Sequence, residues 1–335
     1  MAEQIACKPP LKSPLTVSLW ITEGCNLACL YCYAEATVGQ IVDTERLLAL
    51  IDELADLEVF DLTISGGEPF LHPDIYQIID HALSRNLQLG VLTNGVLLDK
   101  AASKKLVDIV AGRNFILQVS LDSADPAIND LTRGQGAKVI ENMQHLTQSG
   151  LELQISCVLN RYNIDSAHLL LDHFYPQVKR FHFLNIQRTR LTLENPDLLV
   201  SDAEAHNYWR HLRQHSKQFP DDLFLPSLRI MMRSYGEEGS HDSQTLHQQA
   251  TFDCSSCSVG LTKVEIDAKF NVLGCDIAKD FSYMGNVRHN SFEEVWRSAE
   301  AEKVRNFPYP PCYQIRSPDG TSLADQLKPE YQKAL

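Results

Sequence analysis

The 335-residue sequence predicts an α/β protein whose first two-thirds form a six-stranded open barrel of parallel βα units, with a small C-terminal α+β segment. Three observations predict it. Short β-like runs alternate with helix-period segments from residue 15 to 186, as repeated βαβ units require. The strands alternate apolar and polar side chains instead of being apolar throughout. And the composition changes after Leu228.

Each element has its own reason. The strand candidates are Leu15–Thr22, Phe60–Ser65, Gln88–Thr93, Phe115–Leu121, Glu152–Leu159 and Arg180–Ile186. Leu47, Leu50, Ile51 and Leu54 recur at i, i+3, i+4, i+7, one apolar stripe along a helix at Asp43–Leu57. Similar patterns predict helices at Pro73–Arg85, Asp99–Val110, Ala137–Gly150 and Asp165–Phe174. The alternation alone fits a doubly wound sheet as well as a barrel. The strand faces favour the barrel. Phe115, Leu117, Val119 and Leu121 share one face of the fourth strand; Gln118, Ser120 and Asp122 share the other. In the fifth, Leu153, Ile155, Cys157 and Leu159 oppose Gln154, Ser156, Val158 and Asn160. A parallel sheet covered on both sides would be apolar on both faces. Hence the polar faces line a cavity for a polar ligand, unless one face of the sheet is simply solvated.

Ser234–Asp253 is rich in Gly, Ser, His, Gln and Glu and reads as a connector. Two short strands follow, Thr262–Ile266 and Phe270–Leu273. Ser291-Phe292-Glu293-Glu294 is a capping box that opens a helix running to about Asn306. The expected division is a tail (1–14), the barrel with a following helix (15–228), the connector (229–253), a small cysteine-bearing unit (254–312) and a second tail (313–335).

Composition narrows the function. Thirty basic against 43 acidic residues leave a net charge of −13, which disfavours partners bound through phosphates or anionic lipid. No apolar run approaches the ~20 residues of a membrane span, and Met1–Pro14 has no signal-peptide core. A cytoplasmic protein with no membrane and no nucleic-acid partner is expected. Nine cysteines are then the unusual number, because in a reducing compartment clustered cysteines point to metal or catalysis.

Cys25, Cys29 and Cys32 are spaced C-x3-C-x2-C directly after the first strand. Three thiolates on one short loop converge on one metal centre. Zinc would need a fourth ligand, and none lies nearby in sequence. A 4Fe–4S cluster on three cysteines leaves one iron open. One βα unit later comes Ser65-Gly66-Gly67-Glu68-Pro69. Paired glycines allow close backbone approach to a ligand. A buried Glu68 would call for a cationic partner, such as an ammonium group.

These two motifs together resemble the radical S-adenosylmethionine (SAM) superfamily, over roughly Leu15 to Ile186. The resemblance implies a partial (β/α)6 TIM-like barrel with a small C-terminal α+β auxiliary-cluster domain. It implies that Cys25, Cys29 and Cys32 hold a 4Fe–4S cluster whose open iron binds S-adenosylmethionine. Tyr31 would then sit beside the adenine, and Gly66, Gly67 and Glu68 would hold the methionine ammonium. Ser120 and Asp122 would meet ribose or carboxylate, with Asn94 and Asn160 as further cofactor contacts, and Arg133 would meet the SAM carboxylate or form a surface ion pair. Reductive cleavage would give methionine and a 5′-deoxyadenosyl radical that abstracts hydrogen from the substrate. A low-potential donor such as flavodoxin or ferredoxin would supply the electron.

Cys254, Cys257, Cys275 and Cys312 form the second set. By spacing alone they suit an all-cysteine zinc site. Cys257-x2-Gly260, Gly274-Cys275, Met284-Gly285-Asn286-Val287 and the capping-box helix resemble a SPASM or twitch extension, which implies one auxiliary 4Fe–4S cluster. No cysteine follows Cys312, so a second auxiliary cluster is not expected. If Cys312 is not a ligand, the other three would leave an open iron for substrate. Cys157 is expected to be a buried structural thiol and Cys7 has no assigned role. His182, on the sixth strand, is the histidine to watch; His206, His211 and His215 read as solvated on a helix. Arg188 and Arg190 would meet an anionic substrate or pair at the rim.

The leading expectation is an enzyme that crosslinks or oxidises a ribosomally made peptide. The 14 residues before the first strand are too few for a leader-binding domain. The alternatives are a dehydrogenase or epimerase of an aminosugar or other small molecule, and a non-enzymatic zinc module.

Overall fold

The computed structural model describes residues 11–34, 39–186, 190–226, 260–275 and 282–306. Six parallel strands are laid down in sequence order: β1 (Thr16–Trp20), β2 (Asp61–Ser65), β3 (Gln88–Thr93), β4 (Phe115–Ser120), β5 (Leu153–Leu159) and β6 (Arg180–Asn185). Each pairs in register with the next. Between them run α1 (Thr44–Asp56), α2 (Ile75–Ser84), α3 (Lys100–Val110), the short α4 (Pro126–Asp130), α5 (Gly136–Leu146) and α6 (Leu169–Phe174). The Asp43 and Asp99 side chains cap α1 and α3 by accepting first-turn backbone N–H groups. Beyond β6 come α7 (Arg190–Glu194) and α8 (Asp202–Ser216), the latter opened by a Ser201/Glu204 capping box.

The outer strand faces and the helices bury one core: Leu47, Leu50, Ile51 and Leu54 of α1 are fully covered, as are Leu117 and Val119 of β4. The opposite faces of β4, Gln118 and Ser120, and of β6, His182, remain half-buried. The polar rows therefore line the concave side of an open sheet, as the alternation implies.

The C-terminal strands do not stand apart. β7 (Lys263–Ile266) pairs parallel with β1, and β8 (Asn271–Leu273) and β9 (Tyr283–Asn286) follow antiparallel, so one nine-stranded sheet runs β6-β5-β4-β3-β2-β1-β7-β8-β9. Without β7, β1 would expose unpaired backbone at the edge nearest the cysteine loop. The C-terminal helix is two pieces, α9 (Phe292–Trp296) and α10 (Ala299–Asn306). Ser298 breaks it: its hydroxyl donates to Met284 O and accepts from Ala301 N, restarting the helix.

Candidate active site

The first cysteine segment leaves the C-terminal end of β1. The Thr22 hydroxyl accepts Gly24 N at 3.0 Å, which turns the chain into the loop. Cys25, Cys29 and Cys32 are all half-buried free thiols. Leu27 N donates to Cys25 Sγ at 3.4 Å, and the Asn94 amide reaches the same sulfur at 3.8 Å. Such N–H···S contacts stabilise a thiolate or a cluster sulfur. Burial raises the Cys25 and Cys29 thiols above the ordinary value, and their neighbouring thiols push the same way. At Cys29 the Arg133 charge opposes that rise.

The Gly66-Gly67-Glu68 segment docks on that loop. Gly67 N donates to Thr22 O at 2.9 Å and Glu68 N to Gly24 O at 2.8 Å. A Cβ on Gly67 would lie 2.1 Å from Gly24 O, and one on Gly66 2.3 Å from Thr22 O. The glycines thus admit the cysteine loop's own backbone, where the sequence suggested approach to a ligand. Glu68 also departs from expectation. Its fully buried carboxylate accepts from Phe70 N (3.0 Å), Thr93 Oγ1 (2.8 Å) and Asn94 N (2.7 Å), so it does not depend on a cation for partners. Burial still raises its pKa, against the pull of those three donors and Arg133. The Asn94 side chain bridges to Asn26 Oδ1 at 2.7 Å, tying β3 to the cysteine loop.

A second buried group lies at the ends of β4 and β5. Tyr31 OH donates to Asp122 Oδ2, and Arg133 Nη1 donates to Tyr31 OH at 2.7 Å. Asp122 also accepts Val158 N (3.0 Å) and Thr132 Oγ1 (3.3 Å). Burial raises the Asp122 carboxyl, opposed chiefly by Arg133. Burial works against the Arg133 charge as well, but Tyr31, Cys29 and Asp122 hold it on. Arg133 is therefore an interior cation and not a surface ion pair. The Tyr31 ring packs with Ile186 and Leu198. Ser120 is half-buried on the inner face beside Ser156. Asn160 is buried and closes a turn, its Oδ1 accepting Tyr162 N and its Nδ2 donating to Val158 O.

Of the second set only Cys275 is described, half-exposed after β8, with its N–H and carbonyl held by the Ser282 hydroxyl. Cys254, Cys257 and Cys312 lie outside the described residues, as do Cys7 and Arg188, and the Arg190 side chain is likewise undescribed. Cys157 is buried in the core, with its thiol pushed well up by burial. His182 lies opposite Ser156, its pKa lowered by burial and by Lys263, so it is neutral near pH 7. Sequence reasoning missed Asn26, Thr93, Thr132 and Asn163. The last donates to Asp122 O and Val158 O, and its only sequence signal is the i, i+3 spacing from Asn160.

Comparison with known families decides the identity. Residues 20–174 match the model of the radical SAM superfamily, and residues 257–314 match SPASM, an iron–sulfur cluster-binding domain. The chain carries a radical SAM domain followed by a SPASM domain. Among curated relatives, the mycofactocin maturase MftC of Mycolicibacterium smegmatis is 27% identical over 302 residues, 87% of this chain and 72% of the relative. The Fe-coproporphyrin III synthase of Methanosarcina barkeri is 26% identical over 309 residues, 87% of this chain and 75% of the relative. Among solved structures, Streptococcus suis SuiB bound to S-adenosylmethionine aligns with a TM-score of 0.72 at 17% identity, over 92% of this chain and 72% of SuiB. SuiB has also been solved with its precursor peptide SuiA. That likeness establishes the partial-barrel fold.

The donor set suits the implied cofactors, a 4Fe–4S cluster with S-adenosylmethionine and an auxiliary iron–sulfur centre. Three free thiols lie on one loop, one sulfur already receives N–H donors, and the polar ends of β2–β5 gather around the loop. When bound at the Cys25, Cys29 and Cys32 loop, this pair would supply reductive cleavage of the sulfonium and the hydrogen abstraction that follows from it.

Proposed function

We propose that this radical SAM enzyme matures a ribosomally made peptide, crosslinking or oxidising a side chain after hydrogen abstraction. The observation that carries the reading is the relationship to a maturase across most of both chains. The aminosugar or small-molecule alternative is not favoured by the relatives. In this reading Cys25, Cys29 and Cys32 ligate the SAM-binding cluster, and Cys254, Cys257, Cys275 and Cys312 the auxiliary one. The domains are 15–228 and 254–312. A cytoplasmic flavodoxin or ferredoxin delivers the electron; no helix among the described residues is long and apolar enough to cross a membrane.

The chain's own residues then have defined tasks. Glu68, fixed by three donors, holds the β2–loop junction against the cysteine segment, and its charge faces the methionine ammonium. Arg133 keeps a permanent positive charge beside Cys29, offsetting the negative cluster thiolates. Asp122 and Tyr31 orient Arg133. Gln118, Ser120, Gln154, Ser156 and His182 give the concave face hydrogen-bonding groups for a polar backbone such as a peptide's.

The test is anaerobic incubation of cluster-loaded protein with SAM, dithionite and candidate precursor peptides. Peptide-dependent 5′-deoxyadenosine and a peptide mass change are expected. Because one relative is a tetrapyrrole enzyme, an iron porphyrin is run in parallel. Turnover stimulated by the porphyrin and by no peptide would overturn the reading.

A further inference from the structure

The densest group of ligating side chains outside the cysteine sites lies where α6 meets α8. His211 and His215 are four residues apart on α8 and share one helical face. His168 is the residue that starts α6. The ligand nitrogens of the three all fall within 4.8 Å of one another. The His168 ring stands edge-on to both others, with centroids 4.4 Å from His211 and 4.8 Å from His215.

Ordinary packing does not account for this. Burial, together with His211 and His215, lowers the His168 pKa against the pull of Asp172. A neutral imidazole is what a metal needs. His168 Nδ1 is also buried with no hydrogen-bond partner, an unfavourable position that a ligand would relieve. A carboxylate stands ready behind the trio: both oxygens of Asp172, one turn on from His168, lie 3.1 Å from His215 Nε2. The Gln218 amide lies 2.8 Å from His215 Nδ1. Histidine ligands characteristically keep such a partner on the nitrogen that does not meet the metal.

We propose that His168, His211 and His215 form a zinc site that braces α8 against α6, separate from the iron–sulfur chemistry. Zinc–nitrogen bonds of about 2.0–2.1 Å in a tetrahedron require the nitrogens to close from their present spread, and the exposed His211 side chain is free to swing in. One nitrogen of His215 takes the metal, and either Asp172 or Gln218 stays on the other. The fourth position is left to water. All-imidazole donors suit zinc, copper or nickel; a redox-silent ion is the one compatible with single-electron chemistry elsewhere in the chain.

The test uses full-length, untagged, cluster-loaded protein under anaerobic conditions, so that no cysteine site is empty. Zinc affinity is measured by competition with a chromophoric chelator for wild type, His211→Ala and His215→Ala. One zinc equivalent is expected in wild type, and at least about tenfold weaker binding in each variant, with iron and sulfide unchanged. Zinc-edge X-ray absorption should show nitrogen and oxygen neighbours only, near about 2.0–2.1 Å. Equal affinity in all three proteins, no zinc binding at all, or a sulfur shell near about 2.3 Å, would overturn the proposal.

Discussion

Replacing Gly67 by alanine tests the docking of the Gly-Gly-Glu segment on the cysteine loop. The added Cβ would lie 2.1 Å from Gly24 O and 2.5 Å from Gly24 C, where real contacts stay above 3.0 Å. The obstacle is backbone, so rotating a side chain does not relieve it; one strand must move by at least about 0.9 Å, the difference between 3.0 and 2.1 Å. That separation breaks the Gly67–Thr22 and Glu68–Gly24 hydrogen bonds. Each contributes about 0.5–1.5 kcal/mol, and overpacking strain adds about 1–3 kcal/mol, so the cost is roughly 2–6 kcal/mol in total. Thermal unfolding should fall by about 4–10 °C. Because the displaced backbone carries Cys25, iron and sulfide per chain should also fall by about half, with the auxiliary centre retained. Gly112→Ala is the control: its φ of +72° penalises alanine, but nothing lies within 4 Å of the added carbon. It should cost about 1–2 kcal/mol with full iron. Wild-type iron and stability in Gly67→Ala, or equal iron loss in both variants, would refute the argument.

Three further outcomes follow from the buried polar groups. Glu68→Ala removes the acceptor of Phe70 N, Thr93 Oγ1 and Asn94 N in a fully covered site; it should cost roughly 2–4 kcal/mol by chemical denaturation, and a neutral effect would mean that those donors find other partners. Tyr31→Phe deletes the hydroxyl between Arg133 and Asp122, leaving Arg133 Nη1 3.9 Å from Asp122 Oδ1; a loss of about 1–3 kcal/mol with full iron content is expected, and a double-mutant cycle with Asp122→Asn should be non-additive. Asp61 is raised chiefly by burial, opposed by Thr63 and Lys263. A carboxyl whose folded pKa lies above its unfolded value contributes stability below the unfolded pKa and loses it as pH rises through the folded one. Asp61→Asn should therefore gain on wild type as pH rises above about 4; a gain that shrinks with rising pH contradicts the burial argument.

How much of this was legible depended on the range of the interaction. β3 occupies Gln88–Thr93 as its alternation predicts, and Asp43 and Asp99 cap the helices they precede. Those signals are local. β9 was not read as a strand because Tyr283-Met-Gly-Asn has no alternation; Gly285 sits there at φ +141° with Val295 against it, a close approach that only the folded chain reveals. The break at Ser298 depends on Met284 O from another element. The histidine trio joins residue 168 to residues 211 and 215, a distance in sequence at which no spacing rule operates.

The same distinction separates what the motifs say from what they do here. C-x3-C-x2-C and Gly-Gly-Glu-Pro identify the chemistry because each is a short spacing with a physical reason. Their mutual geometry is a matter of partners 25 to 102 residues apart. Glu68 reads as a carboxylate in want of a cation until Thr93 and Asn94 arrive from β3 to hold it. Arg133 reads equally as a surface ion pair until Tyr31, from the cysteine loop, and Asp122, from the end of β4, enclose it. In both cases the buried charge is held in place before any cofactor binds. Binding then need not order those side chains, and ordering is a cost that preorganised sites avoid. In the proposed function, specificity for a zwitterionic, sulfonium-bearing ligand would rest on two fixed charges of opposite sign, Glu68 and Arg133, each anchored to the segment that carries the cysteines: Glu68 through Gly24 O, and Arg133 through the Tyr31 hydroxyl.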